Sequence, residues 1–500
     1  MIDLREHLEV LGEKGELLHI KEEVDWDLKA AALAAMANRS GTQAIHFTKV
    51  EEYPEGYSLA ANILSGPGHH YPYKRTMWGR IAIALGIDPK IDYESLIGIL
   101  IDRYHHPIMP VKVSVAPCKE EVHVGDEVNL FEFPFPVIHK EDGGRYGTAG
   151  ILMVKDPESD WQNWGVYRVM VVDRHRLVAD FLSEPSLSKD TKAIYQKYVA
   201  LKRPMPFAIA IGGAPAILIA AAMRLPSGVS EAEYAGGLNL DPINLVKAET
   251  SEILVPGDAE IVIEGEVSAT EMVEEGPYGT IKGYSKRCSR PLMEVTAISH
   301  KKSPVLPFIV DGTKVCDTQA IISITESARL SRMCWEEGQQ PLRWLQIPPD
   351  WNLGICVASI HNPMHGMGFR FARYIFGITN LFDKLVIVDS DIYPTQLTSV
   401  LMDWGHKCHP LRGQHVMNGY PPAVMPNYGE IQPGKGAPRM YIDTCWPAYW
   451  KPEDRPTPIS FEHSFPDDLQ ERVLKRWKEE FRIPVESQVF PTLPGIGKQR

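Results

Sequence analysis

Two acidic residues stand directly before a short turn with restricted backbone angles. Glu274 and Glu275 precede a Gly-Pro-Tyr-Gly turn that begins at Gly276 and contains Pro277. Pro277 fixes its φ angle, and the glycines permit angles that most residues avoid. A carboxylate held by such a turn beside buried apolar strands is desolvated and is a candidate general acid or base. An ordinary acidic turn at the surface is the alternative, because short motifs often match by chance.

An arginine lies in a segment that otherwise looks buried. Arg168 directly precedes the apolar run 169–172, and residues 163–167 before it read Asn-Trp-Gly-Val-Tyr. Because a guanidinium keeps its charge, a buried arginine needs a carboxylate or a ligand anion as its partner. Glu275 is the candidate partner, and a structural ion pair is the alternative interpretation.

Three further segments suit the close approach of a ligand. Glu231 lies among the small residues of segment 227–237, and Thr148 follows the glycine turn 141–144. The predicted strand 216–223 ends in small residues, where a backbone can approach a ligand closely. Each segment also has a structural explanation, such as a capping acid or a core strand. The sequence lacks the GxGxxG, P-loop, GxSxG and HExxH signatures.

Composition excludes several classes of protein. The 500 residues are too many for one hydrophobic core and predict two or three domains. A formal charge of -12 argues against a general nucleic-acid surface. The seven cysteines form no CxxC pair, no apolar run has the length of a membrane helix, and the first residues lack a signal-type apolar core. We therefore expect a cytoplasmic protein that binds neither nucleic acid nor a membrane.

Hydrophobic periodicity divides the chain into four parts. Residues 1–108 mix short helices and strands, and residues 109–308 are mostly β, which indicates a barrel or a strongly twisted sheet around a ligand. Residues 309–460 alternate helix and strand as an α/β layer does. Residues 461–500 contain an amphipathic helix over 466–481 and a Pro/Gly-rich tail. The central strands are predicted at 111–115, 151–155, 166–173, 207–211, 216–223, 261–267 and 295–300, and one helix at 190–202.

Longer segments, taken in order, resemble one known family. They are residues 136–140, 142–146, 163–168, 228–232, 245–247, 255–256, 260–265, 275–279, 283–284 and 464–469. Together they resemble the UbiD family of reversible decarboxylases, in the branch that contains the ferulic and cinnamic acid decarboxylases. The resemblance extends over nearly the whole chain.

The resemblance implies both a fold and a cofactor. It implies a central split β-barrel of the flavin-reductase type in domain 109–308, an N-terminal α/β cap, and a C-terminal α/β domain that dimerises. Helix 466–481 would reach a partner in a homodimer or a higher homo-oligomer. The implied cofactor is prenylated flavin mononucleotide (prFMN), supplied by a flavin prenyltransferase, with a divalent metal such as Mn²⁺ and with K⁺ at its phosphate.

The resemblance also implies roles for single residues. Arg168 would orient the substrate carboxylate, and Glu275 would anchor Arg168 as the second catalytic residue. Asn163 and Glu231 would be metal ligands. The implied contacts with the cofactor or with K⁺ are Thr148, Trp164, Gly165, Val166, Tyr167, Arg168, Ala220, Ala221, Met223 and Glu231.

Three positions depart from the family's pattern. Thr280 stands where the family has a second acid as proton donor, and threonine cannot supply a carboxylic proton. Segment 181–190 has no histidine for the metal, although Asp190 or Glu184 offers oxygen instead. Thr398 stands in place of a lysine that contacts phosphate.

Three hypotheses about function stay open at this point. The first is a decarboxylase of an aromatic, heteroaromatic, aryl-CoA or α,β-unsaturated carboxylic acid, with Glu274, a substrate hydroxyl or water as proton donor. The second is an enzyme that consumes CO2 as a carboxylase. The third is a non-catalytic subunit or binding protein. The presence of Arg168, Glu275, Asn163 and Glu231 favours an enzyme, because unpaired buried charges destabilise a fold.

Overall fold

The computed structural model describes residues 3–67, 77–183, 189–313, 315–362, 364–392, 396–428, 436–456, 459 and 461–481. Glu184 and the Pro/Gly-rich tail, both named in the sequence predictions, lie outside these residues. Within them, the chain alternates between three sheets that carry most of the strands and the helices that cover them.

The helices are mostly short and lie between strands. They are α1 (Leu4–Glu13), α2 (Lys29–Ser40), α3 (Gly79–Ala84), α4 (Tyr93–His105), α5 (Asp190–Ala200), α6 (Pro215–Ala221), α7 (Glu231–Asn239), α8 (Asp317–Arg332), α9 (Met367–Ile378), α10 (Leu397–Lys407), α11 (Phe461–Ser464) and α12 (Asp467–Glu479). A π-helical turn, Met333–Glu337, extends α8. Among the described residues, no helix has the length and apolar character needed to cross a membrane.

The strands are concentrated in the middle of the chain. They are β1 (Leu17–Ile20), β2 (Ala44–Phe47), β3 (Ser58–Ala61), β4 (Val111–Val113), β5 (Glu121–Val124), β6 (Tyr146–Gly147), β7 (Gly150–Lys155), β8 (Gln162–Val166), β9 (Val169–Val171), β10 (Arg176–Ala179), β11 (Met205–Ile211), β12 (Asn244–Lys247), β13 (Leu254–Pro256), β14 (Ile261–Glu275), β15 (Gly279–Thr280), β16 (Gly283–Tyr284), β17 (Cys288–His300), β18 (Val305–Phe308), β19 (Leu342–Gln346), β20 (Ile355–Ile360), β21 (Lys384–Asp389), β22 (Gln414–Tyr420) and β23 (Ala437–Asp443).

The N-terminal sheet is completed by a strand from far along the chain. Its order is β1-β2-β3-β18, with parallel pairing of β1 to β2 and of β3 to β18. Helix α1 begins after Asp3, whose side chain accepts a hydrogen bond from the backbone N–H of Glu6. Its apolar face, with Leu4, Leu8 and Leu11, is buried. Because β18 follows the central sheet in sequence, the N-terminal and central parts fold against each other.

The central sheet has nine strands and stays open. Its order is β6-β9-β10-β17-β14-β11-β7-β8, and β5 pairs with β17 off this path. Within the described residues, the edge strands β6 and β8 do not pair with each other. The predicted barrel is therefore not confirmed, because closure depends on which edge strands meet and not on the alternation within any one strand.

The two longest strands form the spine of this sheet. Strand β14 has 15 residues and β17 has 13, and they pair antiparallel with a register shift after Glu264. A Cβ atom on Gly265 would lie 1.9 Å from the carbonyl oxygen of Glu294, so the bulge requires glycine at this position. The sequence predicted only 261–267 and 295–300 as strands. Strand β14 continues to Glu275 and thereby carries that residue into the interior.

The C-terminal part is the predicted α/β layer. Its sheet has the order β19-β20-β21-β23-β22, and β20, β21 and β23 are parallel. Helices α9 and α10 lie between its strands in sequence, as the alternation predicted, and α8 precedes its first strand, β19. Buried residues of α9, including Phe371 and Ile375, share one apolar cluster with Leu385 and Ile387 of β21.

Two sequence predictions about the centre of the chain were wrong in detail. The run 216–223, predicted as a strand, forms helix α6 (Pro215–Ala221), with Pro215 in its first turn. All seven residues of α6 are buried, so its sequence shows no polar face from which a helical period could be read. The predicted strand 166–173 is divided into β8 and β9, and Arg168 lies in the break between them.

Candidate active site

A cleft of about 680 Å³ opens where the central sheet meets α6, α7 and α8. Part of its wall is apolar and consists of Phe181, Leu218, Ile309, Ile321, Ile322, Met333 and Val424. Charged side chains complete the wall, namely Arg168, Asp180, Lys189, Asp190, Arg224, Glu231, Arg329, Arg332 and Glu337. A large cleft with apolar walls and a few convergent charges is the usual form of a site for a small molecule.

Arg168 and Glu275 form a bidentate pair at this cleft. Arg168 Nε donates to Glu275 Oε1 at 2.9 Å, and Nη2 donates to Oε2 at 3.0 Å. The Glu275 side chain is fully buried, whereas that of Arg168 is 18% exposed. Two parallel bonds between a planar guanidinium and a carboxylate fix the orientation of both groups. The partnership predicted from the sequence is therefore present.

Asp180 joins the same charged network. Its Oδ2 accepts from Arg168 Nη2 at 3.0 Å, and its Oδ1 accepts from Arg290 Nε at 2.6 Å. Burial favours the neutral acid, but the two guanidinium groups outweigh this effect and hold the pKa of Asp180 below its usual value. Burial lowers the pKa of Arg168, and the bond to Glu275 more than reverses this, so the pKa of Arg168 is raised. Arg168 and Asp180 therefore both stay charged.

The turn after Glu275 is locked against the glycine turn at 141–144. Gly276 has a φ angle of +87°. A Cβ atom on Gly143 would lie 2.3 Å from the carbonyl oxygen of Gly276, so the two backbones touch. The N–H of Gly143 donates to the carbonyl of Pro277 at 2.8 Å, and Asp142 Oδ1 accepts from the N–H of Gly279 at 2.9 Å. These contacts hold the end of β14 in place.

Two tyrosines that were not predicted as site residues pack around the ion pair. The Tyr146 hydroxyl donates to Glu275 Oε1 at 3.3 Å, and the Tyr278 ring lies 5.2 Å from the Arg168 guanidinium. The two rings are 4.6 Å apart. Burial raises the pKa of Tyr146 and of Tyr278, so both hydroxyls remain protonated donors. Tyr278 was visible in the turn motif, but nothing local marked Tyr146.

The predicted metal ligands form a second polar group of the site. Glu231 begins α7, and its Oε2 accepts from the backbone N–H of Trp164 at 3.1 Å. Burial raises the pKa of Glu231 to about 8, and the charge of Asp190 adds to this rise. Asn163, which precedes Trp164 in β8, is buried and donates through Nδ2 to Thr191 Oγ1 at 2.8 Å. Glu231 and Asn163 are thus joined through one backbone segment.

This group fits a hard divalent cation. A cation would favour the ionised form of Glu231, whose pKa is raised by burial and by the charge of Asp190. Ser227 Oγ donates to Asp190 Oδ1 and fixes that side chain. The available donors are carboxylate and amide oxygens, which suit Mn²⁺ or Mg²⁺. The described part of segment 181–190 contains Asp190, which lines the same cleft as Glu231 and offers a carboxylate.

The remaining predicted contacts are divided between the cleft and its support. Ala221 and Met223 line the cleft, together with the whole segment 164–168. Ala220 is fully buried in α6 and is not among the lining residues. Thr148 is also buried, and its Oγ1 accepts from the N–H of Ile309, a lining residue, at 2.7 Å. Thr148 therefore supports the wall and does not face the cleft.

Thr280 and Thr398, which depart from the family pattern, do not line the cleft. Thr280 Oγ1 donates to the carbonyl of Gly283 at 2.7 Å and lines a second pocket of about 570 Å³. Glu274, the neighbour of Glu275, is exposed. Thr398 is exposed at the start of α10 and is not among the lining residues of the cleft.

A polar chain crosses the wall between the two pockets. The Asp311 carboxyl accepts from the Tyr278 hydroxyl at 3.3 Å and from Cys316 Sγ at 3.4 Å, and the nearby Thr318 side chain favours its ionised form. Burial raises the pKa of Asp311 despite these bonds. Thr318 lines the cleft, whereas Asp311 and His139 line the second pocket. Asp311 was not predicted as a site residue, because it belongs to no recognisable sequence motif.

Three domain profiles of one protein family match the chain. The N-terminal domain of 3-octaprenyl-4-hydroxybenzoate carboxy-lyase matches residues 8–100, the Rift-related domain matches 110–314, and the C-terminal domain matches 319–443. The matches follow one another in the order of the family and cover most of the chain. The protein therefore belongs to the UbiD family of carboxy-lyases.

Individual relatives agree with this assignment. The chain is 29% identical to the pyrrole-2-carboxylic acid decarboxylase of Pseudomonas aeruginosa, over 96% of this chain and 98% of that protein. It is 30% identical to ferulic acid decarboxylase 1 of Saccharomyces cerevisiae, over 67% of each chain. Among solved structures it is similar to the UbiD-class enzyme HmfF of Pelotomaculum thermopropionicum in complex with prFMN, with a TM-score of 0.77 at 26% identity over 94% of this chain and 99% of that one.

Proposed function

We propose that the protein is a prFMN-dependent carboxy-lyase that removes CO2 reversibly from an aromatic, heteroaromatic, aryl-CoA or α,β-unsaturated carboxylic acid. The observation that carries this proposal is the bidentate pair of Arg168 with the buried Glu275 at a large cleft with apolar walls. Membership of the UbiD family supports it, as does the similarity to relatives named for the decarboxylation of pyrrole-2-carboxylic and ferulic acids.

The cleft offers suitable surfaces for the flavin. Segment 164–168, Ala221 at the end of α6 and Met223 just after it would contact the flavin. Thr148 and Ala220 would support these surfaces from behind the lining. The small alanine side chains leave room for a planar ring system. When bound, prFMN supplies an electron sink for the electron pair that remains on the substrate as CO2 leaves.

A divalent metal, Mn²⁺ in our proposal, would be held by Asn163 and Glu231, with Asp190 in the place of the absent histidine. The bond between Glu231 and the backbone N–H of Trp164 keeps this carboxylate next to the predicted flavin surface. Such a metal would join the cofactor phosphate to the protein, and K⁺ would use oxygen atoms at the same end of the cofactor.

Arg168 is the residue that would receive the substrate carboxylate. Its Nε and Nη2 bond Glu275 and Asp180, and within the described residues Nη1 has no hydrogen-bond partner. Because both anions fix the guanidinium plane, Nη1 is presented in one direction. The apolar residues Phe181 and Ile322 in the cleft wall disfavour a charged carboxylate relative to neutral CO2.

The proton for the product would come from Asp311 through Thr318. Asp311 in its acid form passes a proton to the Thr318 hydroxyl, and this hydroxyl passes its own hydrogen to the carbon from which CO2 has left. The Asp311 carboxylate then regains a proton from water in the second pocket. Two observations support this route, namely the bond of Asp311 to Cys316, two residues before Thr318, and the position of Thr318 in the cleft lining. Glu274 is exposed, and the Thr280 hydroxyl is used by a backbone carbonyl.

The proposal includes the wider organisation of the protein. We infer a cap at 1–108, a split-barrel prFMN domain at 109–308, a C-terminal domain at 309–460 that forms a homodimer or a higher homo-oligomer, and a terminal helix and tail at 461–500. Helix α12 supports assembly, because it has no buried residue among those described while Trp477 is 41% exposed. A cytoplasmic location and a flavin prenyltransferase as the supplier of the cofactor complete the proposal.

One experiment tests the function directly. The protein is co-expressed with a flavin prenyltransferase and analysed anaerobically by native mass spectrometry and by its absorption spectrum. We expect a bound mass of prFMN with a divalent metal, and CO2 release or hydrogen exchange with at least one aromatic or heteroaromatic acid. Folded protein without any bound flavin would contradict the proposal and would favour a non-catalytic subunit.

A further inference from the structure

A cluster of metal-binding residue types lies outside the cleft, where β5 pairs with the end of β17. Glu121 and His123 are two residues apart in β5 and therefore point to the same side of the strand. His300 ends β17 and is the direct cross-strand partner of Glu121. One ligand atom from each of the three residues lies within 4.8 Å of the other two. The sheet register thus brings two imidazoles and a carboxylate together.

His300 is already oriented as a ligand. Its ring is buried, and Nδ1 lies 2.9 Å from the carbonyl oxygen of Lys301. Because a carbonyl oxygen can only accept a hydrogen bond, Nδ1 must be the protonated nitrogen that donates it. In the neutral ring, Nε2 therefore retains its lone pair. Nε2 is directed at the cluster, 3.5 Å from Glu121 Oε2. Phe133 packs edge-on against the ring at 5.1 Å and restricts its rotation. A backbone carbonyl behind a ligating histidine is a common support in metal sites.

The other members of the cluster are accessible from solvent. The His123 ring stacks on His300 with centroids 5.4 Å apart, and its side chain is 30% exposed. Glu132 Oε2 lies 3.8 Å from His123 Nδ1 and offers a second carboxylate. The Glu121 side chain is 43% exposed, so an ion can enter without unfolding of the sheet.

We propose that Glu121, His123 and His300 bind a zinc ion, with Glu132 or a water molecule as the fourth ligand. Two imidazole nitrogens with carboxylate oxygen form a ligand set that suits Zn²⁺ better than Mg²⁺ or Ca²⁺, which prefer oxygen alone. Bonds of about 2.0–2.1 Å in a tetrahedron place ligand atoms about 3.4 Å apart. The exposed side chains of Glu121 and His123 can supply this approach by rotation about their own bonds.

The position of the site indicates a structural role. Strand β5 pairs only with β17 among the described strands, and β17 is followed after a short link by β18 of the N-terminal sheet. An ion between β5 and His300 would fasten this edge strand at the point where the central sheet passes to the N-terminal sheet. None of the three ligands lines the cleft, so the inference does not depend on the proposed enzymatic activity.

The test uses the full-length protein without an affinity tag and treated with EDTA. Zinc chloride is titrated by calorimetry into wild type, Glu121→Gln and His123→Asn. Glu121→Gln keeps the size of the side chain and His123→Asn shortens it, and because both positions are partly exposed the fold is expected to survive. His105→Asn is the matched control, because His105 pairs with Glu336 at 2.7 Å outside the cluster. Each protein is also titrated in a Glu231→Gln background, which removes a predicted ligand of the cleft metal.

We expect wild type to bind one zinc ion per chain at this site, and this binding should persist in the Glu231→Gln background. Glu121→Gln and His123→Asn should each weaken the zinc affinity at least tenfold, whereas His105→Asn should leave it unchanged. Saturating zinc should raise the thermal unfolding midpoint of wild type and leave that of the two cluster variants unchanged. Co²⁺ in place of zinc should give the intense visible absorption of a tetrahedral site. Zinc binding that is equal in wild type and the cluster variants would overturn the proposal, as would the absence of zinc binding in the Glu231→Gln background.

Discussion

Replacement of Glu275 by glutamine tests the centre of the proposed mechanism. The side chain keeps its shape and one acceptor oxygen, so one of the two bonds to Arg168 survives. In wild type, both carboxylate oxygens accept from the guanidinium, at 2.9 and 3.0 Å. In the variant, the amide nitrogen replaces one of these oxygens, so that two N–H donors face each other there. The guanidinium also loses one of its two anionic partners, although Asp180 remains. We therefore expect Arg168 to turn toward Asp180 and to lose its fixed direction.

The size of the effect follows from these contacts. A hydrogen bond to a charged group contributes about 1.5–3 kcal/mol, and removal of one partner from a buried ion pair costs about 3–5 kcal/mol. Because Asp180 still compensates part of the charge of Arg168, we take the lower end of the second range, about 3 kcal/mol. If this loss appears in the transition state, kcat/KM for decarboxylation falls about 100-fold.

The assay compares two adjacent glutamates. Wild type, Glu275→Gln and Glu274→Gln are loaded with prFMN, and CO2 release and hydrogen exchange are measured under the same conditions. Glu274 is exposed, so Glu274→Gln is expected to retain wild-type kcat/KM. Circular dichroism and the bound cofactor mass show whether each variant is folded and loaded. A folded, loaded Glu275→Gln variant with turnover within twofold of wild type would refute the reasoning, and so would equal losses in both variants.

Three further predictions concern charges near the cleft. Arg168→Lys is expected to lose activity at least as strongly as Glu275→Gln, because one ammonium cannot replace a planar fork, and wild-type kcat/KM would contradict this. Asp311→Asn should slow hydrogen exchange into the product more than Thr280→Val does, and the reverse order would exclude the proposed proton route. Burial raises the pKa of Glu326, but the charge of Arg329 outweighs it and the pKa is lowered to about 2. The ionised Glu326 should therefore add about 3 kcal/mol to the free energy of unfolding above pH ~4.5, and this contribution is lost as the pH falls toward ~2. In denaturant titrations, the free energy of unfolding of Glu326→Gln should fall less steeply than that of wild type over this acid range.

The sequence predicted much of the fold where one face of an element is polar. Helix α1 follows this rule, because Leu4, Leu8 and Leu11 recur on one side. The strand 207–211 is an exception, since it is apolar and buried on both faces, and its Phe and Ile residues indicated a strand instead. Helix α6 was not readable, because all of its residues are buried and no polar position marks the helical period. The predicted barrel is not confirmed, and pairing between distant edge strands leaves no trace in the sequence of a single strand.

The residues of the candidate site also include some that the sequence predicted and some that it did not. Arg168 and Glu275 were noticeable as charges in apolar surroundings, although they are 107 positions apart in the chain. Tyr146, Asp180 and Asp311 were missed, because each acquires its significance only from tertiary contacts with that pair or with Tyr278. Asp180 had a weak signal, since it directly follows the buried strand β10.

The arrangement of charges also bears on whether the chain is an enzyme or a non-catalytic relative. A buried network of Arg168, Glu275 and Asp180 is not an efficient way to stabilise a sheet, because apolar side chains of similar volume are often neutral or better in such positions. The locked turns around Glu275 add a further constraint, since a side chain on Gly143 would meet the backbone of Gly276. Packing alone requires neither feature, whereas recognition of a carboxylate in one orientation requires both a fixed guanidinium and a fixed anion behind it. The structure of the site is therefore better explained by binding and conversion of a carboxylic acid than by a purely structural role.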